Sequence, residues 1–235
     1  MTLSPIRRVW QHFLDLLFPQ LCLLCKDGLQ AGEPLVCTNC RLSLPETGEH
    51  RQAINSKLTL FAGKVPIQFV YSFLFFTKKG KVQQLIHALK YRGEKEVGLL
   101  MGNWYGHQLR EARMLQHDID LIIGVPLHPT RLRQRGYNQS DWFAKGLSEM
   151  LGISWSYNTL IRNRYTLSQT GMNRISRWEN VSQVFSVKDK ARVQNKRILL
   201  VDDVLTTGAT LEACATALLA AGAQSIGIIT IAATR

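Results

Sequence analysis

The chain has 235 residues, 46% apolar and 20% charged, enough to bury one α/β core of ordinary size with a small appendage. No run approaches the roughly 18 consecutive apolar residues of a membrane-spanning helix. The opening MTLSPIRRVWQHFLDLLFPQ is broken by Gln11, His12 and Asp15 and has no small-residue cleavage site, which argues against export and for a reducing cytoplasm. Of the net charge of +12, residues 1–50 hold four Lys/Arg against five Asp/Glu, 51–120 eleven against five, and 121–235 fourteen against seven. The basic excess thus lies beyond the first fifty residues, where it suits a polyanionic partner or simple solubility.

In chain order, RRVWQHFLDLLFP aligns Trp10, Phe13, Leu14, Leu17 and Phe18 on one helical face beside Arg7 and Arg8. Such a segment suits peripheral membrane contact, at the inner face of the inner membrane, but its apolar face is short, which favours packing against the cysteine pairs that follow or the main domain. Cys22, Cys25, Cys37 and Cys40 follow as two C-x2-C pairs with eleven residues between them. Each pair can present two thiolates from one tight turn, and two such knuckles supply the four sulfurs of a tetrahedral zinc site. The competing reading, two disulfides, suits the cytosol poorly. Four sulfurs leave no open coordination position, so the expected Zn2+ is structural. Cys214, the fifth cysteine, falls on an apolar helix face and reads as core. Pro45, Gly48 and the polar cluster LPETGEH mark a boundary that divides the chain into 1–48 and 49–235.

Beyond it, QFVYSFLFF (68–76) has strand composition and TKKGK supplies a turn. Val82, Leu85, Ile86 and Leu89 recur at helical spacing up to KYRG, and Leu99, Leu100, Trp104 and Leu109 predict another helix. DLIIGVP (120–126) predicts a short buried strand, LHPTRLRQRGYNQS a loop, and Trp142, Phe143, Leu147, Met150 and Leu151 a further helix. RILLV (197–201) and SIGIITIAA (225–233) predict strands on either side of a helix near 209–221. Strands alternating with helices imply a mostly parallel sheet covered on both faces. Neither an internal repeat nor a low-complexity tract interrupts the pattern.

The chemistry concentrates in RILLVDDVLTTGATLEACATAL (197–218). Open parallel sheets bind ligands beyond the carboxyl ends of their strands. There Asp202 and Asp203 are expected to emerge, with Thr206, Thr207, Gly208, Ala209 and Thr210 leading into a helix. A helix N-terminus directs free N–H groups at an anion, and glycine lets a phosphate approach the backbone. Ionised carboxylates only accept hydrogen bonds and therefore suit a pair of sugar hydroxyls. Together these features describe a pocket for a 5-phosphorylated ribose. A phospho-acceptor receiver domain also carries adjacent aspartates after a strand but needs roughly a hundred residues after them, and only 32 follow Asp203. An ordinary strand-to-helix turn capped by Thr210 would leave the acidic pair without a role.

ILLVDDVLTTGAT (198–210) closely resembles the signature of type I phosphoribosyltransferases, which bind phosphoribosyl pyrophosphate (PRPP). With the CxxC pairs, LKYRG (89–93), VPLHPTRLRQRGYNQS (125–140) and RNRYTLSQTGMNRISRWENV (162–181), the chain is similar over nearly its whole length to the competence protein F (ComF or GntX-like) family. The resemblance implies the type I phosphoribosyltransferase fold, a mostly parallel sheet flanked by helices, with a small N-terminal four-cysteine zinc module. It implies that Asp202 and Asp203 contact the ribose hydroxyls and that Thr206 to Thr210 hold the 5-phosphate. The loop containing Val125 and Pro126 would take the pyrophosphate, followed by Arg131, Arg133 and Arg135. Guanidinium groups bind phosphate oxygens bidentately, although a solvated basic face has the same composition. Arg162, Arg164, Gln169, Arg174 and Asn180 would belong to a mobile loop closing over PRPP.

An active transferase of this kind displaces pyrophosphate at the anomeric carbon of ribose, with Mg2+ on the pyrophosphate and arginines and amides around it. Asp202 and Asp203 would act on substrate hydroxyls and substrate-bound magnesium, not as nucleophiles. RNRY also resembles the mobile loop of glutamine amidophosphoribosyltransferases, but Thr2 stands at position 2 and Cys22 is committed to the knuckle, so ammonia transfer is not expected. The family is associated with uptake of exogenous DNA, which implies helicase and recombination-mediator partners. The basic charge suits phosphate backbones, and Trp142, Trp155, Tyr157, Tyr165 and Trp178 could stack on unpaired bases of single-stranded DNA or anchor core and loops. Three functions are therefore in view: a PRPP-binding protein of DNA utilisation, an active nucleobase phosphoribosyltransferase of salvage metabolism, and a non-catalytic single-stranded DNA-binding module. Residues 51–118 match no base-selecting module, so no acceptor is named.

Overall fold

The computed structural model describes residues 19–52, 55–113, 119–163 and 184–234. The amphipathic segment before Pro19 and most of the expected mobile loop, with Arg164, Gln169, Arg174 and Asn180, lie outside the described residues.

Five parallel strands form the central sheet in the order β1 (Phe69–Phe76), β7 (Ser225–Thr234), β6 (Arg197–Leu205), β2 (Leu121–Gly124) and β3 (Trp155–Ser156). A separate antiparallel pair joins β4 (Leu160–Arg162) to β5 (Phe185–Val187). Leu121, Ile123, Ile198, Leu200, Ile226 and Ile228 are buried on one face, and Ile122, Leu199, Val201, Ile229 and Ile231 on the other. This period-two alternation within continuous aliphatic runs is what a sheet covered on both sides requires. The second face is covered by helices α2 (Lys81–Tyr91), α3 (Glu96–Glu111) and α5 (Gln139–Leu151). The first face is covered by α6 (Ala209–Ala220), by Phe61 and Val65 and by the β4–β5 pair.

Glycines bring α3 and α5 into backbone contact. A Cβ built on Gly102 would lie 2.8 Å from the Cα of Gly146, and one on Gly106 would lie 2.8 Å from Cβ of Met150. Neither helix can slide or separate without losing that contact, so the N-terminus of α5 is fixed at the carboxyl end of the sheet. Helix α1 (Thr38–Leu42) belongs to the cysteine segment. Cys22, Val36, Cys40 and Leu44 share one core with α2 and α3. The β1 edge is closed where the Phe75 N–H donates to the Pro45 carbonyl at 2.8 Å and the Thr47 N–H to the Phe73 carbonyl at 3.0 Å, which removes an unpaired strand edge.

Two elements depart from the sequence pattern. The segment expected as a loop contains helix α4 (Pro129–Arg135): His128 Nδ1 accepts from the Thr130 N–H, Pro129 starts the helix, and Gly136 ends it at φ +80°. Capping at both ends makes a helix where no apolar periodicity announces one. Strand β6 runs to Leu205, past the expected end at Val201, because β7 continues to pair with it through Ala232 and Ala233. Among the described residues, no helix is long and apolar enough to cross a membrane.

Candidate functional site

Strand β6 leads to β7 through α6 on one face, and β2 leads to β3 through α5 on the other. The neighbouring pair β2–β6 is therefore a topological switch point, where doubly wound sheets open a crevice for ligand. The loop from Val125 to His128 and the turn from Thr206 to Gly208 flank it.

Because β6 continues through both acids, alternation assigns them to opposite faces, Asp203 with Val201 and Asp202 with Leu200. Asp203 is 5% exposed. Its Oδ1 pairs with Lys90 Nζ at 2.7 Å and its Oδ2 accepts from Gln139 Nε2 at 2.6 Å. Asp202 is half-buried, and its Oδ1 accepts from Ser140 Oγ at 2.9 Å and from the Asp203 N–H at 2.8 Å. Burial, followed by the charge of Asp203, raises the Asp202 carboxyl to about 7, against the pull of those two donors and of Lys90. At neutral pH this group exchanges a proton readily, and any ligand that donates to it or brings a cation shifts it toward the carboxylate.

The turn after β6 has Gly208 at φ +79°, buried beneath the ring of Phe61, where a Cβ would lie 3.0 Å from Phe61 Cζ. Thr206, Thr207, Ala209 and Thr210 are exposed; the N-cap Gly208 has no side chain to cap α6, and the Ala209 N–H donates to Thr207 Oγ1 at a long 3.5 Å. The start of α6 and three threonine hydroxyls are thus exposed within five residues of one another at the end of β6. Across the crevice, the Val125 N–H donates to the Val201 carbonyl at 2.8 Å, and the Val125 carbonyl accepts from Asn138 Nδ2 at 3.0 Å. These bonds fix the loop that carries Pro126.

The arginines divide. Arg135 bonds Gln139 Oε1 and lies 5.8 Å from the ring centre of Tyr91, which joins it through Gln139 to Asp203 and Lys90. Arg131 is exposed on α4. Arg162 lies 5.4 Å from the Phe185 ring centre. It lines, with Arg133 and Pro126, a second cleft on the β3 side that holds neither acid nor the threonine turn. Three residues of the crevice, Lys90, Gln139 and Ser140, are not singled out by sequence reading. LKYRG and GYNQS stand out as motifs, but a contact spanning 113 residues in one case and 64 in the other has no local signature.

The four cysteines converge. Their Sγ atoms all lie within 4.8 Å of one another, against about 3.8 Å between ligands of tetrahedral zinc at 2.3 Å. The Leu24 and Cys37 N–H groups donate to Cys22 Sγ at 3.5 and 3.3 Å. Burial opposes ionisation of Cys22, but amide donation outweighs it and brings the thiol down to about 6. The group could hold a metal ion, and four soft donors already at ligand spacing are what a closed thiolate site needs.

Residues 143–235 match the phosphoribosyl transferase domain. With the parallel, doubly covered sheet, that match makes the architecture a phosphoribosyltransferase fold carrying a cysteine module. The DNA utilization protein YhgH of Salmonella typhimurium (strain LT2) is 30% identical over 223 residues, which cover 89% of this chain and 95% of that protein. Competence protein F of Haemophilus influenzae is 32% identical over 148 residues, 61% of this chain and 64% of that one. Among solved structures, the glutamine PRPP amidotransferase of B. subtilis, complexed with ADP and GMP, is 26% identical at a TM-score of 0.42, over 57% of this chain and 26% of that one.

Proposed function

The chain belongs to the family of the DNA utilization protein YhgH and competence protein F, and from that membership we propose that it binds PRPP, or a related 5-phosphorylated ribose, in the use of exogenous DNA. One observation carries this reading. A carboxylate with one oxygen unbonded among the described residues, an exposed threonine turn and a helix start at Gly208 follow one another at the β2–β6 switch point.

The first amides of α6 and the hydroxyls of Thr206, Thr207 and Thr210 would take the 5-phosphate, with Gly208 keeping the turn close to it. The ribose hydroxyls would donate to Asp202 Oδ2, which receives no hydrogen bond from the described residues. Asp203, held by Lys90 and Gln139, would accept at its remaining lone pairs. Val125 and Pro126 would back the pyrophosphate, with Arg131, Arg135, Arg162 and Arg164 supplying charge. Magnesium arriving with PRPP neutralises pyrophosphate charge when bound. It prefers one or two carboxylates alongside substrate oxygens, and Asp202, with no ion pair among the described residues, fits that need better than Asp203, which is paired with Lys90. In the cysteine module, zinc would be held by Cys22, Cys25, Cys37 and Cys40 as a structural ion.

The DNA-related names of the relatives and the net charge of +12 support a role in handling DNA, and a cytoplasmic place beside helicase and recombination-mediator proteins is part of the same proposal. Calorimetric titration with PRPP and Mg2+ tests the reading. Saturable one-to-one binding, with ribose 5-phosphate binding more weakly, supports it, and no heat at millimolar PRPP refutes it. Pyrophosphate release in a nucleobase screen would then distinguish an active transferase from a binding protein.

A further inference from the structure

A second cleft of about 750 Å³ lies against the edge strand β3, between the Pro126 loop, α4, α5 and β4. Its volume falls within the range of about 300–1,000 Å³ that encloses one small ligand. Four aromatic side chains line it, Tyr137, Trp142, Trp155 and Tyr157. Trp155 and Tyr157 stand 5.9 Å apart at 52°. Tyr157 is 68% exposed, and Leu132 and Ile161, also in the lining, are 42% and 37% exposed. Half of the six large hydrophobic side chains exposed among the described residues therefore meet at this one place, a density that scattered surface apolar residues do not show.

Charge sets the chemistry of the occupant. Arg133, Lys145 and Arg162 are in the lining against a single acid, Asp141. Burial raises Asp141 to about 7, so it offsets the cations only in part. Lys145 already lies 5.1 Å from the Trp142 ring centre, cation beside π-face. Flat rings bordered by cations match a molecule that is itself an aromatic ring joined to an anion. Lys145 has one exposed acid, Glu149, at 3.9 Å; a lipid tail or an apolar peptide would offer Arg133, Lys145 and Arg162 no anion, and a bare sugar phosphate would leave the rings unused.

We infer that this cleft is a mononucleotide site, distinct from the acidic crevice, in which the base stacks on Trp155 and Tyr157 while Lys145 and Arg133 face the phosphate. The cleft contains neither the acidic pair nor the threonine turn, so it is separate from the proposed ribose and 5-phosphate contacts. It shares only the Pro126 loop and Arg162 with the proposed pyrophosphate side.

The test is calorimetric titration of the full chain with AMP, GMP and CMP, with adenosine and ribose 5-phosphate as partial ligands, and with an oligothymidylate. Mononucleotides should bind saturably and more tightly than either partial ligand. Tyr157→Ala, at a position 68% exposed, and Lys145→Ala, each with its melting temperature measured alongside, should weaken binding by at least about fivefold, the loss of one stacked ring or one phosphate cation. Mononucleotides also carry a 5-phosphorylated ribose that the acidic crevice could take, so the titrations are repeated on Asp202→Asn/Asp203→Asn, whose folded form should still bind them and lose that binding when Tyr157→Ala is added. Failure of all three mononucleotides to bind, unchanged affinity when Tyr157→Ala is added to the aspartate variant, or complete loss of mononucleotide binding in the folded aspartate variant would overturn the assignment. Binding of the oligonucleotide without any mononucleotide would overturn it in favour of an extended strand. A null result with PRPP would count against the crevice alone.

Discussion

Lys90 Nζ lies 2.7 Å from Asp203 Oδ1, although 113 residues separate the two in the chain. The pair ties the end of α2 to the end of β6, and Gln139 ties α5 to the same carboxylate. Three elements therefore meet on one side chain that is 7% exposed, which makes this carboxylate a fixed feature of the crevice.

Lys90→Met should lower the melting temperature. It leaves a nearly buried carboxylate with Gln139 as its one side-chain donor. Breaking a fully buried pair costs roughly 3–5 kcal/mol, but Lys90 is 23% exposed, so about 1–3 kcal/mol is expected after allowing for solvent screening. For a chain of this size that is a fall of roughly 3–10 °C by thermal denaturation. Adding Asp203→Asn should recover part of it, and additive losses would mean the pair contributes nothing.

Asp202→Asn should stabilise the fold at high pH and impair ligand binding. The folded protein keeps a proton on Asp202 up to about pH 7, whereas the unfolded chain releases it near the usual 3.8. Between those values the folded state binds more protons, so this group's contribution falls as pH rises from about 4 to 7 and stays low above. The asparagine oxygen can keep the bonds from Ser140 and the Asp203 amide without the charge. Melting curves should show a gain of at least about 3 °C at pH 8 and none near pH 4. On the proposed reading PRPP takes the carboxylate form, so it should bind the native chain more tightly at pH 8 than at pH 6.

Gly102→Ala should destabilise, against the usual gain of about 1 kcal/mol for this exchange within a helix. Here the new methyl would overlap the Phe143 carbonyl and the backbone of Gly146. Forcing α3 and α5 apart should cost at least about 2 kcal/mol, read as a lower urea midpoint. An unchanged midpoint would mean the helices can separate freely.

Cys25→Ser should remove one equivalent of zinc by elemental analysis, since Cys25 is the exposed member of the four and its loss breaks the donor set without opening the core. Melting temperature should fall with it, because the module shares a core with α2 and α3. Full zinc content in the variant would exclude a four-sulfur site.

Much of this arrangement is legible in the chain. Ile198 to Val201 and Ile226 to Ile231 announce buried strands, Val82 to Leu89 an amphipathic helix, and the cysteine spacing a closed thiolate cluster. What stays hidden has physical causes. Helix α4 is set by His128, Pro129 and Gly136 at its ends, not by periodicity. The reach of β6 through Asp203 is decided by its partner β7. Lys90 and Gln139 acquire roles only when α2 and α5 converge on β6, and Phe61 acquires its role by covering Gly208. The aromatic cleft collects Tyr137, Trp142, Trp155 and Tyr157, whose individual positions suit core packing equally well.

The proposed function rests on the acids and the threonine turn jointly holding a phosphorylated ribose. Calorimetry with PRPP and Mg2+ on the native chain and on Asp202→Asn/Asp203→Asn, with zinc content and melting temperature measured alongside, decides the matter. Saturable binding by the native chain is expected, with at least a hundredfold loss in a folded, zinc-replete variant. Equal affinity in the two proteins would contradict it.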